Sequence, residues 1–241
     1  MNPSATVLVP GGTGGLGVAV VERLLRDGWR VVVPSRSEAA DRRLAGLADS
    51  ELELVRADPL DEAAVGRAVE VAASRTDAPL RGLVNLVGGF AMGGRVHETR
   101  VEDFDAQLCL NVRPTFLASR AALPHMIATG GGSIVCISSA AARAPFPGAS
   151  GYITSKAALL AFVDVLATEY RAEGVRVNAL LPTVIDTPAN RTLQPNADRS
   201  AWVTTDLVAR TAAFLVSEES VPTTGAHIPV SAIGPRERSA R

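Results

Sequence analysis

Tyr152 and Lys156 stand four residues apart, the spacing that sets two side chains on one face of a helix. An ammonium held beside a phenol favours the phenolate and draws a tyrosine pKa down from about 10 toward neutrality. A phenol tuned in this way can donate or accept a proton. Ser139 precedes Tyr152 by thirteen residues, and a hydroxyl at a strand end can hold a substrate oxygen beside that phenol. The same Tyr-x-x-x-Lys spacing also arises on solvated helix faces, so the elements around it decide its meaning.

Those elements alternate. Residues 133–137 form an apolar run that reads as a buried strand and residues 152–173 read as a helix, so the Ser139–Lys156 stretch spans a strand-to-helix junction. At the other end of the chain, residues 6–10 read as a strand and residues 18–26 as a helix that stops at Gly28. Between them lie Gly11, Gly15 and Gly17, in the spacing G-x-x-x-G-x-G, with Thr13 and Leu16 inside the turn. Glycines permit a tight turn and close backbone approach to a pyrophosphate, which then meets the positive end of the helix. A nucleotide site is expected there.

Residues 30–34 form the second strand, followed by Ser35 and Arg36 where a bound nucleotide places its adenosine ribose. A carboxylate at this place suits the ribose 2′-hydroxyl of NAD, whereas an arginine accommodates a 2′-phosphate. Ser35-Arg36 therefore predicts NADP(H) in preference to NAD(H), against the alternative of a solvated loop arginine like those of residues 41–43. Residues 52–57 are a third strand ending at Asp58-Pro59, and Asp61 is placed to cap a helix over residues 61–76. Asp58 either bonds the adenine amino group or satisfies backbone donors in its turn.

A fourth strand over residues 83–87 contains Asn85, whose buried amide must be hydrogen-bonded and is expected to stitch neighbouring loops. Gly88 opens a glycine-bracketed loop through Gly94 that offers a substrate wall at a strand's carboxyl end. Residues 101–127 read as a long helix interrupted near Asn111 and Pro114. Asn111 either holds a water at that break or faces solvent. Downstream come a strand over residues 176–181, then Pro182, Ile185 and Thr187, and a polar stretch over residues 188–200 that reads as a mobile lid. A helix over residues 205–217, a strand over 227–230 and a charged tail over 235–241 complete the chain.

Seven apolar strands alternating with helices predict a single α/β domain over residues 1–234: a Rossmann-type, doubly wound parallel sheet with helices on both faces. The 241 residues carry a net charge of −1 with both signs interspersed, which gives no footprint for nucleic acid or an anionic membrane. Cys109 and Cys136 lie in apolar segments and are expected as buried free thiols in a reducing compartment. His97, His125 and His227 share no spacing, so no metal site is expected. The apolar run of residues 159–166 is interrupted by Asp164, and neither a signal peptide nor a membrane span is expected; the reading is cytoplasmic.

In order and spacing, Gly11-x-x-x-Gly15-x-Gly17, Asp58, Asn85-x-x-Gly88, Asn111, Ser139, Tyr152-x-x-x-Lys156 and Pro182-x-x-Ile185-x-Thr187 resemble the short-chain dehydrogenase/reductases over nearly the full chain. The branch most similar in length and motif order is the 3-oxoacyl-carrier-protein reductases. The resemblance implies an NADPH-dependent carbonyl reductase that works as a homo-oligomer, a dimer or tetramer. It implies that Tyr152 is the general acid, that Ser139 orients the carbonyl, and that Lys156 binds the nicotinamide ribose and lowers the Tyr152 pKa. Asn111 would hold a relay water, Ile185 and Thr187 the carboxamide, and Asp58 the adenine.

The chain departs from the pattern at Pro10, at Leu86-Val87, at Thr183 and at Ser231 to Gly234. These departures keep open a second reading, a nucleotide-binding sensor or scaffold without catalysis. Phe90, Phe146 and Trp202 suggest a partly apolar substrate pocket. The Phe90 loop also resembles that of dihydropteridine reductases.

Overall fold

In the computed structural model of the protein, which describes residues 4–47 and 51–232, seven of the apolar runs pair into one parallel sheet. Its strands are β1 (Thr6–Leu8), β2 (Arg30–Ser35), β3 (Leu52–Arg56), β4 (Leu80–Asn85), β5 (Gly132–Ile137), β6 (Val175–Pro182) and β9 (His227–Val230). The order across the sheet is β3-β2-β1-β4-β5-β6-β9. Order reverses between β1 and β4, so the carboxyl ends of those strands open the crevice in which ligands of such sheets bind.

Side-chain alternation assigns each face its helices. Helices α3 (Glu62–Ala73), α4 (Val101–Ala128) and α5 (Ser150–Glu169) cover one face, where Val69, Leu117 and Val163 pack on Leu8, Leu83 and Ile134. Helices α1 (Gly15–Arg26) and α7 (Thr205–Val216) cover the other, where Val20, Leu24 and Leu215 pack on Val7, Val31 and Val135. By length and composition α5 is apolar enough to cross a membrane, with mean hydropathy 1.3, but 44% of that window is buried inside the fold. A core helix packed on the sheet beside α4 meets the same test.

Short elements complete the carboxyl edge: α2 (Glu38–Asp41), β7 (Ile185–Asp186), α6 (Pro188–Leu193) and β8 (Val203–Thr204), with β7 and β8 paired in parallel. Part of the stretch expected as a mobile lid is thus the helix α6. Thr187 starts it by accepting the Asn190 N–H at 3.2 Å, with proline at its first position. Asp61 caps α3 as expected, accepting from the Ala63 and Ala64 amides at 2.9 and 3.1 Å.

Two expectations fail here. The α4 helix runs unbroken from Val101 to Ala128 with Pro114 and Pro124 inside it, because its packing on α3, α5 and the sheet outweighs the single bond each proline removes. Cys109 is exposed, and Cys136 alone of the pair is buried; helical spacing turns Cys109 away from the core-facing residues Asn111, Thr115 and Ala118. Ile233, Gly234 and the charged tail over residues 235–241 lie outside the described residues.

Candidate active site

The glycine turn is built to be filled. Gly11 has φ +84°, and a Cβ there would lie 2.9 Å from Leu86 C and Val87 N; at Gly17 a Cβ would meet Gly11 O at 2.2 Å. Only glycine lets the turn pass this close to β4 and to itself. Gly14 precedes α1 with no side-chain cap, and the first turn carries no acidic residue. The opening amides of Gly15, Leu16 and Gly17 are therefore free to meet a pyrophosphate. Thr187 closes in from the far side, since a Cβ on Gly15 would lie 3.1 Å from the Thr187 Cβ. Pro10 does not disturb the turn: its carbonyl accepts the Leu86 N–H at 2.9 Å. Nor does Thr183, whose N–H donates to Val230 O at 3.0 Å.

At the end of β2 the structure refines the ribose reading. Ser35 is buried, and its hydroxyl donates to Ser37 O at 3.3 Å, so it turns inward. Arg36 is exposed and, among the described residues, has no ion pair. Two arginines missed by the sequence reading join it. Arg43 reaches back to Thr13 O at 3.3 Å, and Arg56 donates to Ser35 O at 3.2 Å and pairs with Asp41 at 2.8 Å. Nothing local in the sequence marked them, because their approach depends on the fold of α2 against β2 and β3. Asp58 Oδ1 accepts the Leu60 N–H at 2.9 Å; its turn role is met and Oδ2 stays at the exposed surface beside half-buried Pro59.

The chemistry-bearing side chains meet at the carboxyl ends of β4 and β5. Ser138 ties β5 to α5 by donating to Lys156 O at 2.8 Å. Ser139 opens a 3₁₀ turn over Ala140–Ala142, its Oγ accepting the Ala141 N–H at 3.2 Å. An accepting hydroxyl keeps its own proton for donation to another oxygen. Lys156 is buried, and its Nζ donates to Ile137 O at 3.0 Å and stands 5.9 Å from the centroid of the Tyr152 ring. A Cβ on Gly88 would lie 2.7 Å from Asn111 Oδ1 and 3.0 Å from Lys156 Nζ, so Gly88 marks where the two side chains converge.

The electrostatics differ from expectation. Burial pushes the Tyr152 pKa up, with the hydrogen bond to Ser139 pulling the other way. The lowering by Lys156 predicted from the four-residue spacing is absent, because the ammonium sits over the ring and is itself disfavoured: desolvation brings Lys156 down to about 8, opposed by Cys136. Beneath it, burial raises the Cys136 thiol to about 12.

Asn111 is fully buried, which removes the solvent-facing alternative. Its amide grips one residue on both sides: Gly89 N–H donates to Oδ1 at 3.1 Å, and Nδ2 donates to Gly89 O at 3.0 Å and to Gln107 O at 3.0 Å. The side chain is thus committed to the substrate loop. Asn85 does not stitch loops. Its Nδ2 faces Cys136 Sγ at 3.9 Å, its register partner across β4 and β5, and its buried Oδ1 has no hydrogen-bond partner.

Phe90, held by the Asn111 grip on Gly89, packs edge-on against Tyr152 with centroids 4.9 Å apart, and Phe146 lies 6.4 Å from Phe90. Of the expected wall residues, Phe90 stands at the tyrosine and Phe146 lies behind it. Phe146 also borders a cavity of about 400 Å³ against Ser150, Ile153 and Thr154, the face of α5 opposite Tyr152 and Lys156. Trp202 is buried beside β8 with the Arg199 guanidinium 5.7 Å over its ring. Pro182 ends β6, and Ile185 and Thr187 follow it toward the glycine turn.

A glycine turn before a helix, a switch point in a parallel sheet and a half-buried tyrosine over a buried lysine at that edge define a nicotinamide-dinucleotide oxidoreductase. Comparison with known proteins agrees. The short chain dehydrogenase family model matches residues 5–198. The chain is 40% identical over 192 residues to 2-(R)-hydroxypropyl-CoM dehydrogenase of Xanthobacter autotrophicus, covering 77% of this chain and 76% of that protein. It is 30% identical over 237 residues to 2,5-dichloro-2,5-cyclohexadiene-1,4-diol dehydrogenase LinX of Sphingobium indicum, covering 92% and 93%. Among solved structures it superimposes on ElxO with NADP bound, with a TM-score of 0.87, 26% identity and coverage of 94% and 97%. The chain belongs to the short-chain dehydrogenase/reductase family and is an NAD(P)-dependent dehydrogenase/reductase.

Proposed function

We propose that the protein interconverts a carbonyl and an alcohol with NADP(H), using Ser139, Tyr152 and Lys156. The observation that carries this reading is the convergence of the Tyr152 ring, a buried Lys156 with Nζ 5.9 Å from its centroid, and the Asn111–Gly89 grip beside a glycine turn with open amides. A bound nicotinamide supplies the hydride. Ser139 donates a hydrogen bond to the substrate oxygen, keeps its proton, and fixes that oxygen's place. Tyr152, kept protonated by its burial, is a phenol ready to give its proton to that oxygen in reduction and to take it back in oxidation. Lys156 holds a positive charge behind the phenol ring and presents its remaining protons toward Gly88 and the ribose side of the crevice. Asn111 holds the Phe90 loop against the tyrosine through Gly89.

Arg36 and Arg43 favour NADP(H), because both bring positive charge to the ribose end of the glycine turn. Phe90 and Phe146 favour an apolar or aromatic flank on the carbonyl carbon. The names of the two relatives are those of alcohol dehydrogenases, which supports a secondary alcohol and its ketone as the substrate class. The 3-oxoacyl-carrier-protein reductase likeness is one form of that class. A homo-oligomer fits the exposed apolar residues Phe116 on α4 and Val165 on α5.

The test is a fluorescence titration with NADPH and NADH on the wild type and on Arg36→Ala, followed by turnover of a ketone and alcohol panel by the wild type and Tyr152→Phe. NADPH should bind more tightly than NADH, Arg36→Ala should narrow the gap, and Tyr152→Phe should bind nucleotide yet lose turnover. Equal affinity for both nucleotides would overturn the NADP(H) preference. Nucleotide binding with no turnover across the panel would favour the non-catalytic sensor.

A further inference from the structure

Away from the reacting groups, one side-chain cluster joins the Ser139 turn to the edge of the sheet. Arg143 closes the 3₁₀ turn that Ser139 opens. Its Nη2 lies 2.6 Å from Nδ1 of His227, the first residue of β9. On the other side of the ring, Nε2 lies 2.8 Å from Asp164 Oδ1 on α5. That approach is off the line a hydrogen bond needs, and the nitrogen is sealed from solvent. Among the described residues, Arg143 and Asp164 are the charged side chains in contact with this ring.

The chemistry of the three groups sets the tautomer. A guanidinium only donates, so the nitrogen it approaches must be an unprotonated acceptor. Neutral His227 then carries its proton on Nε2, facing the Asp164 carboxylate. Three segments distant in sequence, the turn after β5, the α5 helix and the edge strand β9, are held together through one imidazole.

We propose that Arg143, His227 and Asp164 form a tie that positions Ser139, and that the tie holds only while His227 is uncharged. A proton on Nδ1 removes the acceptor and sets two cations 2.6 Å apart. Arg143, already at the surface, swings out, while the imidazolium keeps Asp164 as its counter-ion. The turn that Arg143 closes then loses its anchor on β9, and the Ser139 hydroxyl, which accepts from Ala141 within that turn, loses its fixed place beside Tyr152. The inference rests on the role given to Ser139 above. The three residues act through Ser139 and are positioning residues.

The experiment compares wild type, His227→Gln, His227→Ala and Arg143→Ala in kcat and KM against pH, with NADPH and a ketone from the panel. A glutamine at 227 keeps an acceptor for Arg143 and does not titrate. His227→Gln should therefore hold kcat on the acid side where the wild type loses it. Arg143→Ala and His227→Ala should lose about 10- to 100-fold in kcat at every pH, the scale of an ångström misplacement, with KM for NADPH unchanged. An acid limb in His227→Gln identical to the wild type, or full kcat in Arg143→Ala, overturns the tie.

A second readout needs no turnover. Nitrogen-15 spectra of the His227 ring should show the proton on Nε2 at neutral pH. Protection of the Ala141 amide from exchange, corrected for intrinsic rate, should fall as His227 gains its second proton. A proton on Nδ1 at neutral pH overturns the tie. The expected spectra in a protein that turns over no carbonyl would support the tie and overturn the reductase reading.

Discussion

Replacing Lys156 by methionine keeps an unbranched, apolar stem and removes a buried ammonium, and the sign of the effect follows from the site. Lys156 is 5% exposed, and desolvation brings its pKa from 10.5 to about 8. Between those values the unfolded chain holds a proton that the folded chain has shed, so this lysine makes stability rise with pH across that window. The gap from 10.5 to about 8, at about 1.4 kcal/mol per pH unit, amounts to about 3 kcal/mol. Cys136 works in the opposite direction. Its thiol is pushed from 9.0 up to about 12, so above pH 9 the unfolded thiol ionises while the folded one does not, and stability falls. The nucleotide-free wild type should therefore gain stability from about pH 8 to 9 and then level off as the two groups oppose each other. Lys156→Met should stay level to about pH 9 and then decline. Urea denaturation followed by the fluorescence of Trp29 and Trp202 measures both curves, and their difference should grow by about 3 kcal/mol between about pH 7.5 and 10.5. Parallel curves would refute the burial of a strained ammonium on which the argument stands.

Three further substitutions test the frame around the site and its supporting helices. Gly17→Ala sets a Cβ 2.2 Å from Gly11 O and should destabilise by about 1–3 kcal/mol and weaken nucleotide binding, whereas Gly66→Ala, in α3 with nothing within 4 Å, should stabilise by about 0.5–1 kcal/mol; thermal unfolding of the pair separates crowding from helix propensity. Asn111→Ala strips the Gly89 N–H and C=O of their partners, so it should cost about 1–3 kcal/mol and lower kcat with the Phe90 loop released; kcat at the wild-type level would show that the grip does not serve the site.

The fold was legible because its signals are local and repeated. Strand-length apolar runs recur between helical segments, and glycines punctuate the first turn, so a parallel sheet with a nucleotide crevice followed from spacing alone. The positions of Tyr152, Lys156 and Ser139 were legible for the same reason, since each sits on a junction between a strand and a helix. What the sequence hid depends on contacts between segments far apart in the chain. Arg43 looked like any surface charge until the turn after α2 placed it on Thr13 O. Asn111 read equally as a water holder or a solvated polar residue until α4 ran straight through Pro114 and carried the amide onto Gly89. Spacing also could not weigh charge against burial: four residues bring an ammonium to a phenol, but in this interior desolvation governs both groups, raising Tyr152 and lowering Lys156. The two shifts are complementary. A phenol kept protonated is a proton donor, and a lysine near its titration point responds strongly to any added charge beside it. On the proposed reading, an anionic nucleotide in the crevice would stabilise the ammonium, and only then would Lys156 favour the Tyr152 phenolate that proton transfer leaves behind.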